Sequence, residues 1–268
     1  MSDDDLEELM YAVRSSARYR VIHESVVRRI AAQELARRRS LKEAVKATRS
    51  KLHQIGGAYR ERQLSYAHWR EKLAAMGRQP DDAALQDFCR QMMACHASTR
   101  ERLPFLETFF TTTLQPIAPL RSVLDLGCGL NPLAIPWMPL ADGARYDACD
   151  IYEDLVGFVK QFLTHIHQPG EVECCDLVQT CPSRPAHVAL LLKMLPCLEQ
   201  QDKGISVRLL QSIPAEHILI SFPARSLSGI SKGMVKRYQT HLMDVVEGQK
   251  WKVSRHLFAS ELAFLISR

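Results

Sequence analysis

The chain has 268 residues, 46% of them hydrophobic, and a formal net charge of +5, enough to bury a full core with residues to spare for an attached segment. No apolar run approaches the roughly 18 residues of a membrane-spanning helix, and the acidic start (Asp3, Asp4, Asp5) is unlike a secretory signal, so a soluble, cytoplasmic protein is expected. Eight cysteines include no C-x-x-C pair and read as reduced thiols; Cys89, Cys95 and His96 match no common zinc spacing, and no metal is expected.

The charge is unevenly placed. Residues 13 to 72 hold 16 Lys and Arg against five Glu, whereas 1 to 12 carry five acids and the remainder is close to neutral. A basic block of that kind is the footprint of a polyanion binder, although a solvated helix face gives the same pattern. Within it, Leu6, Leu9, Met10 and Val13 fall at helical spacing, and Val26, Val27, Ile30 and Leu35 repeat the pattern with Ser25 as a candidate N-cap. Arg37, Arg38, Arg39 and Ser40 interrupt it, and Leu41 to Leu52 resume it. Gly56 and Gly57 end that helix, and another around 66 to 76 stops at Gly77 and Pro80. Residues 1 to 78 are therefore expected to form a basic helical bundle, with 79 to 117 as a helical linker.

From residue 118 a third unit is expected, in which strands and helices alternate as in an α/β doubly wound sheet. Strands are expected near 121 to 126, 145 to 150, 171 to 176, 186 to 193, 216 to 222, 251 to 258 and 261 to 267. The short Ala259-Ser260 turn between the last two permits an antiparallel hairpin and no helical crossover. The first strand runs into Asp125-Leu-Gly-Cys-Gly129 before a helical pattern resumes at Leu133. Glycines at 127 and 129 let the backbone take positive φ and let a ligand approach. A third glycine at dinucleotide spacing would fall at Pro132, which disfavours a pyrophosphate cradle. An acidic strand end followed by G-x-G resembles motif I of class I S-adenosylmethionine-dependent methyltransferases, which implies a Rossmann-like seven-stranded sheet.

Ligands of such sheets sit beyond the carboxyl ends of the strands. Those ends supply Gly127 and Gly129, then Asp150 to accept ribose hydroxyls, then Asp176 for the adenine amino group and Leu177 for its face, then Leu192 and Lys193. The loop after the fourth strand lacks the Asn/Asp-Pro-Pro-aromatic motif of exocyclic-amine methyltransferases. Pro196-Cys197 matches the Pro-Cys of cytosine C5 methyltransferases, but Cys197 opens a helical run and reads as packing. Residues 225 to 234, rich in Ser and Gly with Arg225 and Lys232, suit phosphate contact, or are simply a flexible surface loop.

Several stretches together resemble the aminoglycoside-resistance 16S ribosomal RNA guanine-N7 methyltransferases: Leu52-His-Gln-Ile-Gly-Gly-Ala-Tyr59, His96-Ala-Ser-Thr-Arg-Glu-Arg-Leu103, Asp125-Leu-Gly-Cys-Gly-Leu-Asn-Pro-Leu133, Leu190-Leu-Leu-Lys-Met-Leu-Pro-Cys-Leu-Glu199 and Ser221-Phe-Pro-Ala-Arg-Ser-Leu227, with Lys232-Gly-Met234. The resemblance implies methylation of N7 of a decoding-site guanine in helix 44 of the 30S subunit, by a monomer, with resistance to 4,6-disubstituted deoxystreptamine aminoglycosides. It implies S-adenosylmethionine contacts at Tyr59, His96, Ala97, Ser98, Arg102, Gly127, Gly129, Asp150, Asp176, Leu177, Leu192 and Gln201, with Arg102 pairing with the methionine carboxylate. Target contacts are expected from Arg37, Arg38, Arg39, Lys193, Arg225, Ser226, Lys232 and Met234. Ser226-Leu-Ser-Gly229 and Glu261-Leu-Ala-Phe264 depart from the family pattern, leaving the role of Glu261 open.

Guanine N7 carries a free lone pair and needs no general base, so no catalytic acid or base is expected and positioning carries the rate. Because N7 lies in the deep major groove of A-form RNA, the base is expected to flip out. Three other readings stay open: methylation of another position such as adenine N1, a non-catalytic RNA-binding assembly factor, and a small-molecule methyltransferase.

Overall fold

The structure, a computed structural model, describes residues 3–56, 64–77, 81–224 and 233–268. The described residues form one seven-stranded sheet in the order β3-β2-β1-β4-β5-β7-β6. Its strands are β1 Leu120–Leu126, β2 Leu140–Asp150, β3 Val172–Cys174, β4 Ala186–Leu192, β5 Ala215–Pro223, β6 Lys252–Leu257 and β7 Glu261–Ser267. The first five are parallel; β7 runs antiparallel to β5 and to β6, making the expected hairpin. Central strands read as continuous apolar runs because both faces are covered. In β4, Val188 and Leu190 face one core while Ala189 and Leu191 face the other, the period-two alternation of a pleated strand. Edge strand β6 instead carries exposed Lys252 and Arg255, which discourage pairing with another chain.

One face of the sheet is covered by α5 (Tyr66–Ala75), α6 (Asp82–Met93), α8 (Leu106–Leu114) and α9 (Glu153–His165). Phe109, Phe110, Phe158 and Phe162 are fully buried there, each worth about 1.5–3 kcal/mol. The other face packs against α10 (Leu195–Glu199), α11 (Ile205–Ser212) and α12 (Met234–Val245). A short α7 (Ala97–Arg102) sits between α6 and α8, whose segment is broken at Pro104 by a 3₁₀ turn, Leu103–Phe105.

The helix expected after the glycine turn is a 3₁₀ segment, Asn131–Trp137. Pro132 and Pro136 remove amide donors and prevent a regular α-helix. Strand β2 begins earlier than its apolar pattern suggested, and β3 is shorter, so that Cys175 and Asp176 lie in the turn beyond it.

The N-terminal bundle consists of α1 (Asp3–Arg14), α2 (Ala17–Arg20), α3 (Glu24–Leu35) and α4 (Leu41–Gly56) around their own core of Leu9, Val13, Val27, Ile30 and Leu52. His23, not Ser25, is the N-cap of α3. Ser40 ends the arginine turn, and its Oγ accepts from the Glu43 amide at 3.3 Å at the start of α4. Helix α5, expected within the bundle, packs elsewhere: Tyr66, Trp69 and Leu73 belong to the core beneath the sheet, and Tyr66 stacks on Phe158 at 5.4 Å.

Candidate functional site

At the carboxyl end of β1 the chain turns through Gly127 (φ 68°) and Gly129 (φ 51°). A Cβ on Gly127 would lie 2.5 Å from Met194 Sδ, so the position combines a left-handed backbone with a close approach. The turn is tied to the next strand by Cys128 N–H, which donates to Cys149 O at 2.9 Å, and by Gly129 N–H, which donates to Asp150 Oδ2 at 2.9 Å. Asp150 Oδ1 accepts from the amides of Ile151 (2.7 Å) and Tyr152 (3.3 Å). Backbone donors thus fix the carboxylate's orientation.

These residues open onto a cleft lined by His96, Ser98, Arg102, Gly127, Gly129, Asp150 and Leu192, together with Lys193, Met194 and Cys197. An adjoining recess of about 350 Å³ shares Gly127 and Asp150 and is lined by Asp176, Leu177 and Gln201. Ten of the twelve expected cofactor residues therefore meet in one continuous site. Ala97 is buried in α7 and lines neither part, and Tyr59 lies outside the described residues. Cys197 is buried in α10.

Beneath the cleft runs a buried charged network that sequence reasoning saw only in pieces. The Arg102 guanidinium donates to Glu261 through Nε (3.1 Å) and Nη2 (2.6 Å) and to Asn131 Oδ1 through Nη1 (2.9 Å). Its carbon lies 4.6 Å from the Phe109 ring centre. Among the described residues these bonds use three of its five N–H groups, and Arg102 also lines the cleft. Asn131 Nδ2 in turn donates to Asp125 Oδ2 at 2.9 Å, which also accepts from Tyr146 Oη at 2.7 Å. Burial raises the Asp125 carboxyl to about 6 against the lowering effect of those two donors and Arg102. For Glu261, burial pushes upward as well, but Arg102 and Lys193 outweigh it and the carboxyl falls below its ordinary value.

Lys193, expected to touch the target, is directed inward. Its ammonium is 2.6 Å from Glu101 and 3.6 Å from Glu261, and its side chain is 2% exposed. Its backbone is left-handed (φ 59°), held by Ser221, whose Oγ accepts the Lys193 N–H at 3.1 Å. Arg37, Arg38 and Arg39 are exposed on the turn between α3 and α4, with Arg38 bonded to the buried Glu34 at 2.9 Å. Met234 begins α12 and is partly exposed; Arg225, Ser226 and Lys232 lie outside the described residues.

The bundle also reaches the site. His23 N–H donates to Ile151 O and Glu153 N–H to Val21 O, both at 2.8 Å, pinning the bundle beside Asp150. Val26, Arg29 and Ile55 line the recess; Ile55 stands inside the 52–59 stretch and Val26 in the helical pattern, but none of the three is expected there from the sequence. At the opposite end of the sheet, His187, Glu216 and His217 place potential ligand atoms within 4.8 Å of one another. Glu216 is taken by Arg121 at 2.6 Å and His217 Nδ1 pairs with Ser267 Oγ at 2.9 Å, so the chain's own groups occupy this cluster.

The profile of a family described as ribosomal RNA methyltransferase (FmrO) matches residues 14–265. The 16S rRNA (guanine(1405)-N(7))-methyltransferase of Micromonospora rosea is 34% identical over 99% of this chain and 98% of its own length. The enzyme of the same name from Frankia casuarinae is 36% identical over 98% of this chain and 94% of its own. Among solved structures, the 16S rRNA methyltransferase RmtF in complex with S-adenosyl-L-homocysteine superposes with a TM-score of 0.84 at 30% identity, covering all of both chains. The 16S rRNA methylase RmtB superposes with a TM-score of 0.77 at 28% identity over 98% of each. This chain therefore belongs to the FmrO family of ribosomal RNA methyltransferases.

Proposed function

We propose that this protein transfers the methyl group of S-adenosylmethionine to N7 of guanine 1405 in 16S ribosomal RNA, releasing S-adenosylhomocysteine and giving resistance to 4,6-disubstituted deoxystreptamine aminoglycosides. The observation that carries this is the cleft at the carboxyl ends of the strands, where Gly127, Gly129, Asp150 and Arg102 converge. Its residues suit the cofactor. Asp150 is held by backbone donors where it would meet ribose hydroxyls, Arg102 lines the cleft where it would pair with the methionine carboxylate, and Asp176 and Leu177 line the recess that would take adenine.

When bound, the cofactor supplies an electrophilic sulfonium methyl. Guanine N7 brings its own lone pair, so the protein's task is to hold N7 in line with that methyl at near-attack distance, an effect worth roughly 7–11 kcal/mol. The buried network serves this by fixing the floor of the cleft. Glu261 pairs with Arg102 and, together with Glu101, offsets the charge of Lys193, and Asn131 connects Arg102 to Asp125 and the glycine turn. Arg37, Arg38 and Arg39 hold ribosomal RNA phosphates, and Met234, Arg225, Ser226 and Lys232 receive the flipped guanosine. The protein acts in the cytoplasm, as a monomer, on helix 44 of the assembled 30S subunit.

Incubating the purified protein with 30S subunits and methyl-labelled S-adenosylmethionine tests the proposal. Label is expected in 16S rRNA of the subunit and much less in naked 16S rRNA. Absence of label from 30S, with label in a small molecule or another RNA, would contradict it.

A further inference from the structure

Asp176, assigned above to the adenine amino group, is already engaged by the N-terminal bundle. Arg29 of α3 donates through Nε to Asp176 Oδ2 at 2.6 Å and through Nη2 to Oδ1 at 3.1 Å. The same Nη2 donates to Gln201 Oε1 at 2.7 Å. Both sides of the ion pair are nearly closed off from solvent, at 9% for Arg29 and 6% for Asp176. A pair so enclosed has a planar, two-pronged geometry that lysine cannot reproduce. Oδ1 accepts a further bond, from the Val178 amide at 3.2 Å. Among the described residues Oδ2 takes only the Arg29 bond, and it keeps a lone pair directed by that contact. Asp176, Gln201, Arg29 and Val26 line the same recess.

We infer that Arg29 is a positioning residue of the cofactor site: its guanidinium fixes the Asp176 carboxylate and the Gln201 amide so that Oδ2 accepts the adenine amino group, which makes the N-terminal bundle a structural part of the cofactor pocket. The backbone bonds from His23 to Ile151 and from Glu153 to Val21 hold α3 in place for this, immediately beside the ribose-facing Asp150. Anything that shifts the bundle therefore shifts the adenine acceptor. By linkage, a polyanion bound to the bundle and a cofactor bound in the pocket alter each other's affinity by the same factor.

The inference rests on the assignment of Asp176 to the adenine amino group, and the experiment separates the two. Calorimetric affinities are measured for S-adenosylhomocysteine and for S-inosylhomocysteine, whose base carries a carbonyl oxygen in place of the amino group. The proteins compared are wild type, Arg29→Gln, Arg29→Lys and Arg28→Gln. Arg28 lies on the same helix but pairs with Glu7 and Glu24 at the surface and serves as the control. Wild type and Arg28→Gln should both prefer the adenosyl compound. In Arg29→Gln its affinity should fall about tenfold, and the preference should collapse toward unity. Arg29→Lys keeps the charge and with it the fold, and should lose most of the preference because it cannot span Asp176 and Gln201 together. A wild type without preference would remove the Asp176 assignment and the inference with it. A preference retained in folded Arg29→Lys, or in Arg29→Gln, would overturn the role of Arg29 while leaving Asp176 in place.

Discussion

Two buried carboxylates in the floor of the cleft respond to pH in opposite senses. Asp125 is raised to about 6, chiefly by burial, so its contribution to stability is complete below the unfolded value and is lost as pH rises through about 6. Asp125→Asn keeps an acceptor for Tyr146 and Asn131; it should match wild type near pH 4 and exceed it by about 1–3 kcal/mol at pH 8, as read by urea unfolding at each pH. Glu261, with a lowered carboxyl, contributes stability above the ordinary carboxylate range and loses it as pH falls through its depressed value. Glu261→Gln leaves Arg102 and Lys193 without their shared counter-charge and should cost about 3–5 kcal/mol at neutral pH, measured the same way; a loss below 1 kcal/mol would show that Glu101 alone suffices. Gly127→Ala forces a side chain into a left-handed position against Met194. It should weaken S-adenosylhomocysteine binding at least tenfold by calorimetry with a native circular-dichroism spectrum, since the strain lies in the pocket wall. Gly127 and Asp150 are legible because a strand pattern runs into a G-x-G turn and the next strand closes on an acid; Asp176 is legible as an acid near a strand end, although β3 stops at Cys174. Arg29 is not, since an arginine on a basic helix looks like a surface residue until the fold brings its partners to it; Asn131 stands inside the 125–133 stretch, but its partners are set only by the fold.

At the scale of elements, the sheet was readable and its junctions were less so. Apolar runs of the right length placed all seven strands, and the Ala259-Ser260 turn set the antiparallel pair. The apolar spacing after the glycine turn predicts an α-helix, whereas Pro132 and Pro136 restrict the segment to 3₁₀ turns. Proximity in sequence puts helix α5 in the basic bundle, but Tyr66 stacks on Phe158 of α9, Trp69 meets Phe88 of α6 edge-on, and Leu73 joins the same core. The arginine turn between α3 and α4 was correctly seen as an interruption, and its three side chains are exposed. Replacing Arg37, Arg38 and Arg39 by glutamine should weaken 30S binding and lower the slope of log affinity against log salt by about two to three, near 0.7–0.9 per lost phosphate contact. Equilibrium binding at several salt concentrations checks this, and an unchanged slope would remove these residues from the RNA interface.

The whole molecule joins a bundle with its own core to a methyltransferase sheet, and the join lies at the cofactor pocket instead of away from it. Hydrogen bonds from α3 and the turn before it reach Asp176, Gln201 and Ile151, so the element proposed to grip ribosomal RNA also walls the recess proposed for adenine. Sequence could locate the charge surplus but not this junction, which depends on residues 147 positions apart meeting in space. No helix among the described residues is long and apolar enough to cross a membrane. The most direct measurement is the position of the transferred methyl group: 16S rRNA from treated 30S subunits is reduced with borohydride and cleaved with aniline, chemistry that cuts at N7-methylguanosine, and the cut is mapped by primer extension. A single new cut at guanine 1405 is predicted. A methyl group at another guanine, or on N1 of an adenine with no cut at 1405, would contradict the proposed target while leaving the fold and family in place.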